Sequence, residues 1–172
     1  MEYINLKIKK INESLIEGYI KIRAKTDGES SGMTWTKGER PVGNIEEQKK
    51  ALTGILNNQG GIIFLAYVDD QAVGYMSLSG ETAERVRHVR TITVAVSKKY
   101  WRKGIGLKLM KKGITWAKAN NIHKIHLWVW QNNTGAKLLY ERLGFEIEGI
   151  QKDAGFINNK YVDRTMMGKI LK

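Results

Sequence analysis

Apolar and polar positions alternate through residues 3–11, with Ile4, Leu6 and Ile8 on one side, and the spacing predicts an opening strand. Asn12 follows as a helix cap, after which Leu15, Ile16, Tyr19, Ile20 and Ile22 recur at helical spacing. Residues 26–44 (TDGESSGMTWTKGERPVGN) lose this periodicity. A stretch so long and so polar reads as a loop that serves a site or is mobile. Its large apolar groups, Met33 and Trp35, either touch a substrate or anchor the loop on the core. Helical spacing returns over residues 45–56, with Ile45, Leu52, Ile55 and Leu56 inward.

The continuous apolar run GIIFLAYV (61–68), a turn at 69–71 and AVGYMSLS (72–79) predict a hairpin within a buried sheet. Residues 85–96 read as the next strand. It runs into a basic turn and then, at Gly104 and Gly106, into an amphipathic helix that reaches about residue 120, with Ile105, Leu109, Trp116 and Ala117 inward. Residues 124–130 form a further strand with Ile125, Leu127 and Val129 on one face and His126, Trp128 and Trp130 on the other. Both faces are largely apolar, so helices are expected over both. Asn132, Asn133 and Thr134 are capping residues for a short helix carrying Ala136, Leu138, Leu139 and Leu143, which Gly144 ends. Residues 145–152 and 161–170 close the chain as a hairpin around 155–159. The order is β-α-α-β-β, then β-α-β-α-β-β.

A chain of 172 residues has a one-domain length and can bury about 70% of its unfolded surface. The absence of cysteine excludes disulfides, thiolate metal sites and a cysteine nucleophile, and makes a reducing cytosol the natural compartment. With no long apolar run and no signal-peptide core at the start, a soluble cytoplasmic protein without a membrane partner is expected. The net charge of +12 is unevenly placed: residues 1–86 carry 11 Lys and Arg against 12 Asp and Glu, and residues 87–172 carry 18 against 5. A polyanionic partner is implied for the second half, either a phosphate-rich cofactor or nucleic acid.

The glycine turn suits the cofactor. A helix N-terminus leaves its first backbone N–H groups unpaired and partly positive, and glycines there let a phosphate come close. Seven of the fifteen residues 98–112 are Lys or Arg. Taken alone, the same pattern also describes a tight turn with a solvated basic face.

Two blocks carry a resemblance. YWRKGIGLKLM is similar to the pyrophosphate-binding loop, Q/R-x-x-G-x-G/A, of the GNAT superfamily of acetyl-CoA-dependent N-acetyltransferases, with Trp101 where Gln or Arg is usual. NTGAKLLYERLGF resembles that superfamily's N-x-x-A-x-x-L-Y-E-x-x-G-F helix block, matched at Asn133, Ala136, Leu139, Tyr140, Glu141, Gly144 and Phe145. The resemblance covers residues 85–171. It implies a single α/β (α+β) domain over residues 1–172, with 1–84 the acceptor side and 85–172 the acetyl-CoA side. The fold expected is a central mixed, mostly antiparallel sheet of about seven strands with about four helices over both faces. It further implies that backbone amides of Trp101, Arg102, Lys103, Gly104, Ile105, Gly106 and Leu107 hold the pyrophosphate. Val94, Ala95 and Val96 would pair with the pantetheine arm, with Leu139 lining it and Asn133 hydrogen-bonded to it. Tyr140 would protonate the departing thiolate. The Trp101 departure costs little if the loop works through its backbone.

The acceptor is less legible. Met33, Trp35, His88, Trp128 and Trp130 are its candidate contacts, with sheet core the alternative for both tryptophans. Many members of the superfamily place a carboxylate early in the fourth strand as base, whereas Arg90 and Thr91 stand there and no acidic residue lies between Glu84 and Glu141. Three routes for the amine proton remain: ordered water, His88, or a first-half carboxylate among Glu29, Glu39, Glu46 and Glu47. His123 and His126 are three apart in a strand, point to opposite faces and make no metal pair; no metal is expected. Lacking a cysteine for an acyl-enzyme, the chain is expected to catalyse direct attack by a primary amine. A nucleic-acid-binding module and a coenzyme A sensor without turnover are the rival readings, the first disfavoured because the basic residues cluster at one glycine turn. Homodimerisation stays open.

Overall fold

The computed structural model describes residues 5–40, 45–57, 61–80 and 82–172, without the side chains of residues 45 and 54–57. Its elements are β1 (Leu6–Lys10), a 3-10 turn (Glu13–Leu15) entering α1 (Ile16–Glu29), α2 (Ile45–Asn57), β2 (Gly61–Val68), β3 (Gln71–Ser79) and β4 (Val89–Val96). A second 3-10 turn (Lys98–Tyr100) precedes α3 (Ile105–Ala119), β5 (Lys124–Trp130), α4 (Thr134–Arg142), β6 (Glu146–Ile157) and β7 (Lys160–Ile170). One seven-stranded sheet results, in the order β1-β2-β3-β4-β5-β7-β6. Among the described residues, only the β4–β5 pair is parallel. This is the mixed, mostly antiparallel sheet that the family resemblance implied.

The sheet separates two apolar layers. Over one face, Ile105, Leu109, Met110 and Ala117 of α3 and Tyr140 of α4 pack with Ile92, Ile125, Leu127 and Val129. Over the other, Ile16, Tyr19 and Ile22 of α1 and Leu52 of α2 pack with Leu65, Tyr67, Tyr75 and Ala95. Every residue of β2 is buried because it lies between both layers, which explains its unbroken apolar run.

Four expectations change. The loop expected from residue 26 begins four residues later, since Thr26 bonds back to the carbonyls of Ile22 and Arg23 and buried Asp27 is held by Arg40, so α1 continues to Glu29. Asn12 stands at the start of the 3-10 turn without a side-chain cap bond; its amide oxygen instead accepts from the Ser14 hydroxyl. Residues ahead of β4 form a turn in which the amide of Arg87 bonds the carbonyl of Ala83, so the strand starts at Val89. At the end of the chain, β6 runs on through Gly155 to Ile157, and Asn158 and Asn159, both at positive φ, make a two-residue hairpin turn. Ile4, residues 41–44 and the side chains of Ile45, Ile55 and Leu56 lie outside the described residues.

The feature that positions a site is a short seam. β4 and β5 pair only at Val89↔Lys124, Arg90↔Ile125 and Thr91↔His126, although β4 runs on to Val96 and β5 to Trp130. Past that point β4 stays with β3 and β5 stays with β7. The sheet therefore opens as a V whose apex is the Thr91–His126 pair.

Candidate active site

The wall of the opening along β4 offers backbone groups. The amide of Ser97 bonds the carbonyl of Val73 at 2.8 Å, while the register sets Val96 opposite Gly74 and Val94 opposite Met76. Bonded and unbonded pairs alternate along an antiparallel ladder, so Ala95 and Ser97 face β3, and Val94 and Val96 turn their N–H and C=O groups into the opening. One of these carbonyls is occupied: the Trp101 indole N–H donates to Val96 O at 2.5 Å. The departure from the usual Gln or Arg is thus not silent, since the side chain ties the turn to the strand end.

Beyond β4 the turn delivers a helix N-terminus. Gly104 is the N-cap of α3 at φ 76, a left-handed conformation that favours glycine, and no atom lies within 4 Å of where its Cβ would stand. The first helix bond is Lys108 N to Gly104 O, which leaves the amides of Ile105, Gly106 and Leu107 without helix partners. Gly106 lies between Val96 and Leu139, at 3.9 and 3.6 Å from its would-be Cβ, which spans the opening from β4 to α4. Arg102, Lys103 and Lys108 surround this end, exposed, and the first turn holds no acidic residue. The Trp101 amide is already committed to the carbonyl of Lys98.

Across the opening, Asn133 caps α4 by accepting from the amide of Ala136 at 3.2 Å, and Leu139 faces the same space. Tyr140 is buried and stacks at an angle on Phe145; burial pushes its hydroxyl pKa up to about 12. That hydroxyl makes no hydrogen bond among the described residues. The sealed side-chain atoms without partners there are Arg90 Nε and Arg164 Nε, so the Tyr140 oxygen retains access to a surface. It is a protonated donor with its hydrogen uncommitted.

On the other face of the opening, among the described residues, no side chain of β5 belongs to the apolar layer under α1 and α2. Along β5, Lys124, His126, Trp128 and Trp130 form a row on this side, and Trp128 is 40% exposed beneath the Arg164 guanidinium, 4.4 Å from its ring centre. The expectation of helices over both faces of β5 fails here. Trp130 is core, as its alternative reading had it, because Gly155 of β6 lies directly on its ring: a Cβ there would come within 2.7 Å. The segment after α1 straddles the mouth. Glu29 accepts from Ser97 Oγ and from the amide of Lys98 at the end of β4, and Gly32 lies against the Asn133 amide nitrogen, 2.6 Å from its would-be Cβ. Met33 anchors on the α1 side of the core, and Trp35 is exposed beside Arg40, which forms two hydrogen bonds, 2.7 and 2.9 Å, to Asp27.

His88 is elsewhere. It is exposed at the closed end of the seam, six residues or roughly 20 Å from Val94 along the strand. Arg90 bonds the carbonyls of Arg87 and Val89 and lies on the α3 face, so it gives the acceptor face no positive wall. His126, weighed from sequence only as a metal ligand, lies with its Nε2 2.6 Å from Thr91 Oγ1 at the apex, and Arg164 has no sequence signal of its own. Alternation along a strand sets the side each residue takes, but which face stays open depends on where the helices end.

A sheet splayed beside a bare helix N-terminus, with a free strand edge between, is an acetyltransferase architecture, and solved structures share it. The chain belongs to the acetyltransferase (GNAT) family, whose model matches residues 24–145. It is 28% identical over 110 residues to an L-amino acid N-acetyltransferase, AaaT, of Escherichia coli, a match covering 62% of this chain and 66% of that enzyme. Two further relatives are matched over 48% and 41% of their lengths, so the chain spans less than two thirds of these relatives. A GNAT-family acetyltransferase from Streptococcus pneumoniae superposes with a TM-score of 0.91 at 25% identity, covering 98% of this chain and 100% of that one. yncA, a putative acetyltransferase from Salmonella typhimurium solved with acetyl-CoA, superposes at 0.84 with 18% identity over 97% and 94%.

Proposed function

We propose that the protein transfers acetyl from acetyl-CoA to the α-amine of an amino acid or a peptide N-terminus by direct attack in a ternary complex. The observation that carries this reading is the V between β4 and β5, with backbone groups of Val94 and Val96 turned into it and the bare N-terminus of α3 at its mouth. Arg102, Gly104, Ile105, Gly106 and Leu107 would hold the pyrophosphate, with Val94, Val96 and Asn133 on the pantetheine arm. Acetyl-CoA supplies an activated thioester. The amide of Val94 would face the developing oxyanion, and Tyr140 would donate its proton to the sulfur.

The acceptor class follows from proton energetics. At pH 7 a lysine-like amine is neutral about one time in a thousand, which adds roughly 4 kcal/mol, whereas an α-amine is neutral about one time in ten, adding about 1.4 kcal/mol. The acceptor face supports the second class. The Arg164 guanidinium stacked on Trp128 lends it positive charge, while Glu29 and Glu39 are engaged in hydrogen bonds within the chain and are poorly placed to gather a polycation. The E. coli relative, an L-amino acid N-acetyltransferase by name, points the same way.

Release of free thiol from acetyl-CoA, screened over amino acids, short peptides, polyamines and aminoglycosides, tests the proposal. α-Amines should give the highest kcat/KM, rising with pH until the amine is neutral. Spermidine in first place would sink the acceptor assignment, and coenzyme A binding with no turnover of any amine would favour a sensor.

A further inference from the structure

The base that the fourth strand lacks is replaced, we infer, from the neighbouring strands: His126 takes the amine proton, and Glu148 positions it. This rests on the acetyltransferase reading above. His126 occupies the apex of the V on the acceptor face, where β4 and β5 part. Its Nε2 is 2.6 Å from Thr91 Oγ1. If Nε2–H donates to that hydroxyl, the lone pair stands on Nδ1, which has no hydrogen-bond partner among the described residues and is not one of their sealed atoms.

The carboxylate arrives by an unusual route. Gly168 of β7 lies directly opposite His126, and a Cβ on Gly168 would fall 2.2–2.7 Å from the carboxyl atoms of Glu148. Glu148 belongs to β6, one strand further out, at an irregularity between Ile147 and Gly149. The bulge and the missing side chain together let its carboxylate lie across β7 toward β5, where it pairs with Lys124 at 2.7 Å and acts on His126. Any residue but glycine at 168 would displace it.

The charged groups facing the imidazole are Lys124 from its own strand and Glu148 from β6; Thr91 of β4 and Gly168 of β7 are uncharged. Burial first, then Lys124, lowers the His126 pKa, and Glu148 opposes them. The ring is therefore neutral at pH 7 and able to accept a proton, and the carboxylate favours the imidazolium that results. In the step itself the bound ammonium first loses one proton to Nδ1, which His126 passes on to solvent. The neutral nitrogen then forms the amide C–N bond, and the C–S bond breaks with its electron pair on sulfur, which takes the Tyr140 proton. The second nitrogen proton returns through solvent to the phenolate.

Stopped-time thiol release with an α-amine acceptor at pH 7 and at about pH 9 tests the base, using wild type, His126→Gln and Glu148→Gln. Glutamine at 126 preserves a hydrogen bond to Thr91, so a role limited to knitting the apex would leave the rate within about threefold of wild type. The expected result is a fall of about 100-fold in kcat at pH 7 that shrinks at pH 9, where the amine is already neutral, with coenzyme A affinity unchanged by calorimetry. A rate near wild type, or a loss equal at both pH values, overturns the base. By NMR titration of the imidazole, Glu148→Gln should lower the His126 pKa by about half a unit or more; an unmoved titration overturns the positioning role. A wild type that binds coenzyme A and turns over no amine would fail the acetyltransferase reading itself, a result distinct from an active wild type with an indifferent His126.

Discussion

Tyr140 shows how burial can prepare a side chain for one direction of proton transfer. With its pKa raised to about 12 by burial, the hydroxyl stays protonated across any ordinary assay range. An ordinary thiol pKa of about 8.5 lies below this value, so the hydroxyl serves the departing sulfur first as a hydrogen-bond donor and yields its proton only as negative charge builds there. Tyr140→Phe should therefore lower kcat by about 100-fold while leaving acetyl-CoA affinity by calorimetry within about twofold. It should also leave no basic limb to lose below about pH 11. Asp27 illustrates a purely structural charge. At 4% exposure it accepts two bonds from Arg40 and so fixes the segment that crosses the mouth of the V. Asp27→Ala leaves a half-buried guanidinium without its partner and should cost about 3 kcal/mol in urea unfolding, with Asp27→Asn costing less.

At the scale of elements, the turn between β4 and α3 occupies a group that a ligand would use. Trp101 donates to Val96 O, one of the groups that the family resemblance assigns to the pantetheine arm, so the proposed binding would compete with the indole for that carbonyl. A net hydrogen bond of about 1 kcal/mol sets the scale: Trp101→Phe should tighten coenzyme A binding about fivefold, and wild-type tryptophan emission should shift on binding where that of the variant does not. Gly32 works similarly from the other side. Gly32→Val drives a side chain into the Asn133 amide, and both the acetyl-CoA KM and the acceptor KM should rise several-fold with the fold intact by circular dichroism. Much of this scale was readable in the chain. Glycine turn, α4 block and the two-faced β5 follow from local periodicity and capping chemistry, which act within a few residues. The end of α1, the start of β4 and the course of β6 were missed, because Asp27, the turn before Val89 and the bulge at residues 151–155 depend on partners distant in sequence or on backbone geometry that periodicity does not encode.

For the whole molecule, charge is divided unevenly, 18 Lys and Arg against 5 Asp and Glu in residues 87–172. Exposed Lys98, Lys99, Lys103 and Lys108 lie about the turn and first turns of α3, so coenzyme A should bind more tightly than its 3′-dephospho form, and the difference should narrow between low and high salt in parallel titrations. Equal affinities would mean that the lysines do not meet that phosphate. The candidate site was legible at the glycine turn and the α4 cap, where local backbone chemistry sets the geometry. It was poorly legible along β5: His88 and His126 look alike in sequence, and only the point at which two strands part separates them. That parting has a dynamic counterpart. Three residue pairs join the two halves of the sheet, and beyond them the amides of Val94 and Val96 have no strand partner. In amide hydrogen exchange these two positions should lose their protons far faster than Ala95, which alternates with them toward β3, and acetyl-CoA should slow them selectively, as if the ligand were the strand that completes the sheet.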